Sequence, residues 1–302
     1  MCNLLSFAVV ALVLSVGPFR AFAQAPPGSS SQPMYEVTIV SRTTKALNYG
    51  YLSAPTRIGF LGTPVASAAK GEATIEPKRG STMVRLRVEN LPEPGRFGSQ
   101  FLTYVAWAIS PEGRAHNLGE IILDGSQKGK LSTSTPLQTF AMIITAEPYY
   151  SVSQPSDIVV MENVVTRDTI GKVQEVNATY ELLPRKPYTF DTAAKPAASG
   201  APPVSQERYE AILALYQALN AIQIAQSQGA DKHASKQMAR ARELYNKARE
   251  YPAHLSKEVV SMAREATQIA EDGRAIAAKR SEAEAAAADA GGTAEGARGR
   301  QQ

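Results

Sequence analysis

Residues 101–109 read FLTYVAWAI and residues 84–88 read VRLRV, and these two stretches decide how the first part of the chain folds. The shorter stretch alternates apolar and basic residues, the period-two pattern of a strand with one buried and one wet face. The longer stretch is apolar and rich in aromatic and β-branched residues, which favour strands. It runs into Ser110-Pro111-Glu112-Gly113, where proline and glycine favour a tight turn. We therefore predict short strands joined by turns.

Other runs with strand character occur on both sides of these two, at residues 35–40, 121–123, 140–145, 158–165 and 180–183. Turn signals separate them, such as Glu93-Pro94-Gly95 and Asp124-Gly125. Many short strands with regular turns and no helical period are typical of an antiparallel β-sandwich. The sequence thus predicts a mainly-β plus α protein in which residues 35–183 form an Ig-like antiparallel β-sandwich of roughly seven to nine strands.

A second region follows, in which the hydrophobic period changes. Prolines punctuate residues 184–204, which we predict to be an extended linker. After Ser205 the apolar positions step by three and four, so residues 205–285 are predicted to form an Ala-rich helical hairpin or three-helix bundle. The last helix carries small residues at near-heptad spacing, which would let helices approach closely. After Ser281 the chain is mostly Ala, Gly and Glu, and we expect residues 286–302 to form a disordered tail.

The apolar residues form a stripe along the predicted helices, and this stripe is compatible with two arrangements of the helices. It is narrow and poor in leucine, so the burial that it offers per residue is modest. The helices could close on themselves, or they could pair with another chain as a coiled coil, which would make the protein a homo-oligomer through its helices.

The N-terminus predicts export. Residues 4–16 are apolar apart from two serines, and Ala21-Phe22-Ala23 supplies the small-x-small pattern that signal peptidase needs. We predict a signal peptide over residues 1–23, cleaved before Gln24, and a flexible segment over residues 24–34; an uncleaved anchor is the alternative. The expected location is the periplasm or the outer membrane, with secretion as another outcome, and no transmembrane span is expected in the mature chain.

The residue types argue against several kinds of chemistry. The only cysteine, Cys2, precedes the cleavage site, so the mature chain has no disulfide and no cysteine ligand for a metal. Three histidines show no metal-binding spacing, and Ser67-Ala68-Ala69-Lys70 lacks the partner motifs of penicillin-recognising enzymes. A formal net charge of +4, with interleaved signs, does not indicate nucleic-acid binding. We therefore predict no catalytic, metal or cofactor residues.

Three aromatic residues are candidates for ligand contact. Trp107 is the sole tryptophan; it could stack on a sugar, although a strand tryptophan more often packs in the core. Tyr149 and Tyr150 follow Glu147-Pro148 at a predicted strand end. They could contact a ligand, but a structural corner is the preferred interpretation.

Two stretches resemble known families. Residues 104–113 (YVAWAISPEG), followed by Asn117-Leu118-Gly119, look like a hairpin of the extracytoplasmic domain of anti-sigma-K factors, which implies an Ig-like β fold. Residues 209–279 resemble the uncharacterised alanine-rich helical domains of bacterial envelope proteins, through Ala239-Arg240-Ala241-Arg242-Glu243-Leu244 and Ala263-Arg264-Glu265-Ala266. Such domains often precede an OmpA-like peptidoglycan-binding domain, so the resemblance implies an envelope location.

Together these features predict a non-enzymatic structural or interaction protein of the bacterial cell envelope, whose partner is an envelope protein or peptidoglycan. The alternative is a carbohydrate- or peptidoglycan-binding protein that uses the β-sandwich. A hydrolase is a third hypothesis, and it would need a pair of close carboxylates that the spacing does not reveal.

Overall fold

The computed structural model describes residues 40–50, 52, 54–167, 169, 176–182, 205–252 and 256–298. The predicted signal peptide (1–23), the flexible segment (24–34) and the linker (184–204) lie outside these residues. All described residues belong to one compact unit. The fold is a mixed one, with a large antiparallel β-sheet followed by helices.

Ten strands occur in the described residues: β1 (Val40–Asn48), β2 (Thr56–Gly62), β3 (Lys70–Lys78), β4 (Ser81–Glu89), β5 (Thr103–Ile109), β6 (Ala115–Ile121), β7 (Gly129–Thr135), β8 (Thr139–Glu147), β9 (Val159–Val164) and β10 (Val176–Leu182). Their number exceeds the seven to nine that we expected. The pattern did not reveal β2 (TRIGFLG), β3 (KGEATIEPK) or β7 (GKLSTST). In β3 and β7 few of the residues are strongly apolar. Strand neighbours, rather than their own hydrophobicity, hold these segments in the sheet.

The strands form one antiparallel sheet that curls until its ends nearly meet. Its main path runs β7–β4–β3–β2–β9–β8–β5–β6, and β1 attaches to β8 and carries β10. An isolated bridge between Leu123 and Gly129 joins the two ends of the path, just after β6 and at the start of β7. The first core cluster fills the inside of this curled sheet, with Phe60, Leu86 and Tyr104 among its members.

Strands β5 and β8 are buried on both faces, which explains why the run at 101–109 is continuously apolar. Tyr104, Ala106 and Ala108 point into the sheet's own core. Val105 and Trp107 alternate with them and belong to a second cluster on the outer face. By contrast β4 alternates buried and exposed residues, because its outer face meets solvent.

In the described residues after the strands there are four α-helices: α1 (Gln206–Ser227), α2 (Ala230–His233), α3 (Ser235–Glu250) and α4 (Ser256–Arg298). The Ser205 hydroxyl caps α1 by accepting a hydrogen bond from the Arg208 backbone N–H at 3.3 Å. Gly229 follows α1 with φ 81°, a left-handed conformation that glycine adopts at low cost. Helices α1, α3 and α4 pack against one another through a third cluster that includes Ala218, Leu244 and Ala266.

The helices cover the outer face of β5 and β8, and the second cluster is the core that they share with the sheet. Trp107 and Ile143 from the strands belong to it with Ile224 of α1, Met238 of α3 and Ala270 of α4. The sheet and the helices are therefore stabilised by the same buried surface, on the two sides of the predicted linker.

Helix α4 continues beyond residue 285, where the sequence led us to expect the helical region to end and a disordered tail to begin. The helix extends to Arg298. Alanine is the commonest residue in this stretch, and it has the highest intrinsic helix propensity. The side chains of residues 281–287 are all exposed, so this part of α4 stands clear of the core.

Candidate functional site

Trp107 lies in the core shared by the sheet and the helices. It is 0% exposed, and its indole N–H donates a hydrogen bond to the Thr145 hydroxyl at 2.8 Å. That hydroxyl donates in turn to Glu147 Oε1 at 2.5 Å, which also accepts the Ser156 backbone N–H at 2.6 Å. The ring therefore presents no surface on which a sugar could stack.

Tyr149 and Tyr150 form the corner that follows β8, and both face the helices. Tyr149 is 0% exposed, and its hydroxyl donates to Glu271 Oε2 on α4 at 2.7 Å. Tyr150 is half-buried, and its hydroxyl donates to the Arg264 backbone carbonyl at 3.0 Å. The two tyrosines thus hold the sheet to α4.

A buried ion pair on α4, Glu271 with Arg274, binds the loop that follows β8, and we refer to this contact as the clasp. Arg274 and Glu271 lie one turn apart, with Nε to Oε2 at 2.6 Å, and their side chains are 5% and 3% exposed. Glu271 Oε1 accepts the Ser153 backbone N–H at 3.0 Å, and Arg274 donates to the Ser153 hydroxyl at 2.9 Å. Arg274 also donates to Gln228 Oε1 at 3.2 Å. The charges are therefore compensated and hydrogen-bonded, as buried charges must be.

The hydrogen bonds of the clasp and the charge of Arg274 together set the pKa of Glu271. Burial by itself raises the pKa of Glu271, but the hydrogen bond and positive charge of Arg274, with hydrogen bonds from Ser153 and Tyr149, outweigh it. The pKa of Glu271 therefore lies below its usual value.

A second polar group sits at the junction of β6, α1 and α4. Glu120 is the central residue, with a side chain 4% exposed, and it forms an ion pair with Arg264. Its Oε1 accepts the Thr103 hydroxyl at 2.8 Å and the Gln217 amide. The Gln217 amide oxygen accepts the Tyr150 backbone N–H at 3.0 Å. One carboxylate therefore links two strands to two helices.

Arg264 also covers the ring of Tyr150. Its guanidinium carbon lies 4.3 Å from the ring centroid, a cation–π distance. Burial raises the pKa of the Tyr150 hydroxyl, against a smaller lowering by Arg264, so the phenol stays protonated and continues to donate.

Beside this polar group lies a cavity of about 270 Å³. Its polar lining consists of Glu120, Gln217 and Arg264, together with Glu210 of α1. Its apolar lining consists of Ile122, Leu213, Ala214 and Val260. Aliphatic walls with a few convergent polar groups are typical of small-molecule sites, and this cavity falls just below their usual range of about 300–1,000 Å³. We refer to it as the junction cavity.

The other groups that the sequence singled out do not meet at the junction. The described residues contain no cluster of three or more His, Cys, Asp or Glu side chains that could hold a metal ion. His116 lies on β6 and His233 on α2, while His254 is outside the described residues. Ser67 and Lys70 are both exposed near the start of β3. Within the described helices, none is both long and apolar enough to cross a membrane.

The sequence did not single out the residues that build the junction. Gln217 and Arg264 bond to Glu120 across 97 and 144 residues of chain, so no local spacing connects them. For the clasp, the sequence contained one signal: Glu271 and Arg274 lie on the same face of α4 as Ala270 and Ala277, and this face is buried. Charged residues among buried alanines indicate a partner across the interface.

Comparison with known proteins adds no relative. No protein-family model matches the chain, and no curated protein matches its sequence. A function for this protein therefore has to come from the geometry of its sheet, its helices and the junction between them.

Proposed function

We propose that the chain is a non-enzymatic interaction protein of the bacterial cell envelope, in which the end of α4 is the docking element. The observation that carries this proposal is the exposure of all seven side chains from Ser281 to Ala287. Seven residues make about two helical turns, so exposed side chains occur on every side of the helix there, and one of them, Glu284, forms an ion pair with Lys232 of α2. Helix α4 has 43 residues and is therefore about 65 Å long, enough to reach beyond the packed core.

The side chains of residues 281–287 are exposed, and among them Glu284 forms an ion pair with Lys232 of α2 at 3.1 Å. Such a segment gains little stability from its own chain, because most helical stability in proteins comes from tertiary packing. We refer to residues 281–298 as the α4 arm. Pairing with an envelope protein, or with a second copy of the chain, would supply the missing packing. The composition of the arm suits a close helix–helix contact, since small side chains allow backbones to approach.

The envelope location rests on sequence features. They are the predicted signal peptide over residues 1–23 and the resemblance of residues 209–279 to alanine-rich helical domains of envelope proteins. An Ig-like kinship of the strands also belongs to the proposal, supported by their wholly antiparallel pairing. Fractionation of the native host with N-terminal sequencing tests this part: a periplasmic or outer-membrane form that begins at Gln24 is expected, and an intact N-terminus in the inner membrane would contradict it.

Site-directed photocrosslinking tests the docking role. A photoreactive residue replaces Ala286 in the arm, and a matched variant carries it at Gln268, an exposed position on the packed part of α4. We expect one discrete adduct from position 286 in living cells, identified by mass spectrometry, and none from position 268. Equal labelling from both positions, or no adduct from position 286, would reject the proposal.

The junction cavity favours a second candidate function, carbohydrate or peptidoglycan binding. It brings an amide, two carboxylates and a guanidinium together beside Tyr150, and such planar polar groups are suited to bonding sugar hydroxyls. The site differs from the one first envisaged, because Trp107 and Tyr149 are buried. Sedimentation with purified peptidoglycan tests this candidate: co-sedimentation that Leu213→Trp abolishes would support it, and a protein that stays in the supernatant would not.

A further inference from the structure

The junction cavity has a size and a lining that restrict what it can hold. Its 270 Å³ correspond to about nine water volumes at roughly 30 Å³ each, which suits a ligand of a few non-hydrogen atoms. Leu213 and Val260, from different helices, line one part of it with aliphatic surface. The ligand should therefore have a short apolar body.

The charges of the lining do not balance. Glu120 is neutralised by Arg264 and takes further hydrogen bonds from Thr103 and Gln217. Glu210 accepts a hydrogen bond at 2.9 Å from the uncharged amide of Gln206, and no cation in the described part of the chain pairs with it. Two carboxylates thus face one guanidinium, which leaves one negative charge in excess.

A neighbouring shallow depression strengthens this imbalance. It shares Ile122 and Leu213 with the junction cavity and adds Glu93 to the lining. A concave surface with an excess of one sign of charge and apolar walls concentrates ligands of the opposite sign.

We propose that the junction cavity binds a small aliphatic amine, whose ammonium group pairs with Glu210 and whose hydrocarbon chain packs on Leu213 and Val260. An ammonium group donates up to three hydrogen bonds, and a carboxylate accepts them with the extra strength of a charged pair. The inference is independent of the docking role of the α4 arm, because the cavity is lined by the packed part of the molecule.

Three probes of equal length and different charge test the ligand class. The full chain is titrated with n-butylamine, 1-butanol and butyrate, and binding is followed by calorimetry and by ligand-observed NMR. We expect n-butylamine to bind in the millimolar range that suits so few atoms, 1-butanol about tenfold more weakly, and butyrate not at all. Equal binding of the amine and the alcohol, preferential binding of butyrate, or no binding of the amine would overturn the proposal.

Two variants on α1 locate the site. Glu210→Gln removes the unbalanced charge and should weaken n-butylamine binding about tenfold, the effect expected of a charged hydrogen bond. Glu207→Gln removes an exposed carboxylate one turn earlier, outside the cavity lining, and should leave binding unchanged. Circular dichroism verifies that both variants fold. Equal affinities for the two variants would overturn the assignment of Glu210.

Glycan ligands provide a last discrimination. If the cavity is a sugar site instead, N-acetylglucosamine should bind more tightly than n-butylamine, and Glu210→Gln should leave n-butylamine binding unchanged. That result would reject the amine proposal and leave the docking role of the α4 arm to its own crosslinking test.

Discussion

At the scale of single residues, the clasp between α4 and the loop after β8 is a buried and fully hydrogen-bonded contact. Arg274 and Glu271 are almost completely buried, and between them they bond to Tyr149, Ser153 and Gln228. Removing one partner of such a pair costs more than the pair itself contributes, because an uncompensated charge stays buried.

We therefore expect Arg274→Leu to lower the free energy of unfolding by about 3–5 kcal/mol, since it leaves the Glu271 carboxylate buried without its cation. Urea denaturation at neutral pH measures the change. Arg280→Leu is the control, because Arg280 is exposed on the same helix, and it should change stability by at most about 0.5 kcal/mol. Equal effects of the two substitutions would show that the clasp contributes little.

The same clasp makes stability depend on acid. The pKa of Glu271 is lower in the folded protein than in the unfolded chain, where a glutamate titrates near about 4.3. The stabilisation from its charge is therefore fully present above that value and is lost as pH falls through the lower, folded pKa. We expect the unfolding free energy of the wild type to fall over this acidic range.

Several exposed carboxylates titrate in the same range, so the useful quantity is a difference between two proteins. Glu271→Gln keeps the shape of the side chain and removes the charge. Unfolding measured in urea at several pH values between neutral and strongly acidic should show a shallower acid dependence for Glu271→Gln than for the wild type. Parallel curves would mean that Glu271 does not change its protonation on unfolding.

At the scale of the elements, α4 combines a packed part and an exposed part in one continuous helix. Its first part packs on α1 and α3 through Ala263 and Ala266, which are 0% exposed and let the three helices come close together. The predicted stripe of small residues is confirmed there. Further along the helix, the side chains of residues 281–287 are exposed.

Enlarging a side chain should therefore have opposite consequences in the two parts of α4. Ala266→Leu adds volume to a closed helix interface and should cost about 1–3 kcal/mol, through displaced side chains and backbone. Ala286→Leu adds the same volume to the exposed arm and should leave monomer stability nearly unchanged. Thermal unfolding followed by circular dichroism compares the two; equal losses would mean that residue 286 is packed against the chain.

At the scale of the whole molecule, the sheet and the helices depend on the same buried surface. The second cluster contains Trp107 and Ile143 from the strands with Ile224 and Met238 from the helices. Taking the helices away would expose the outer face of β5 and β8, which is buried throughout and carries Trp107 and Ile143. Each part would therefore lose the core that it shares with the other.

We expect a single cooperative unfolding transition. Trp107, the sole tryptophan, reports on the sheet through its fluorescence, and far-ultraviolet circular dichroism reports mainly on the helices. The two signals should show the same midpoint in urea, because loss of the shared core removes both structures together. Two separate midpoints would show that the sheet and the helices unfold as independent domains.

Local sequence patterns determined the types of secondary structure along the chain. The alternation in VRLRV and the spacing of alanines after Ser205 were enough to predict strands and then helices, because each backbone geometry turns side chains to one face with its own period. The corner after β8 could also be predicted from the sequence, because Pro148 interrupts an apolar run.

Only the tertiary structure decided what those faces meet. The uninterrupted run FLTYVAWAI is apolar on both sides because helices more than one hundred residues later cover its outer face. Nothing in the sequence distinguishes Glu120 from other polar residues. In the folded protein its side chain is buried and bonds to Gln217 and Arg264, which makes it the central residue of the junction. Periodicity is encoded locally by the backbone, whereas the partners of a buried charge are chosen by long-range packing, which no spacing along the chain records.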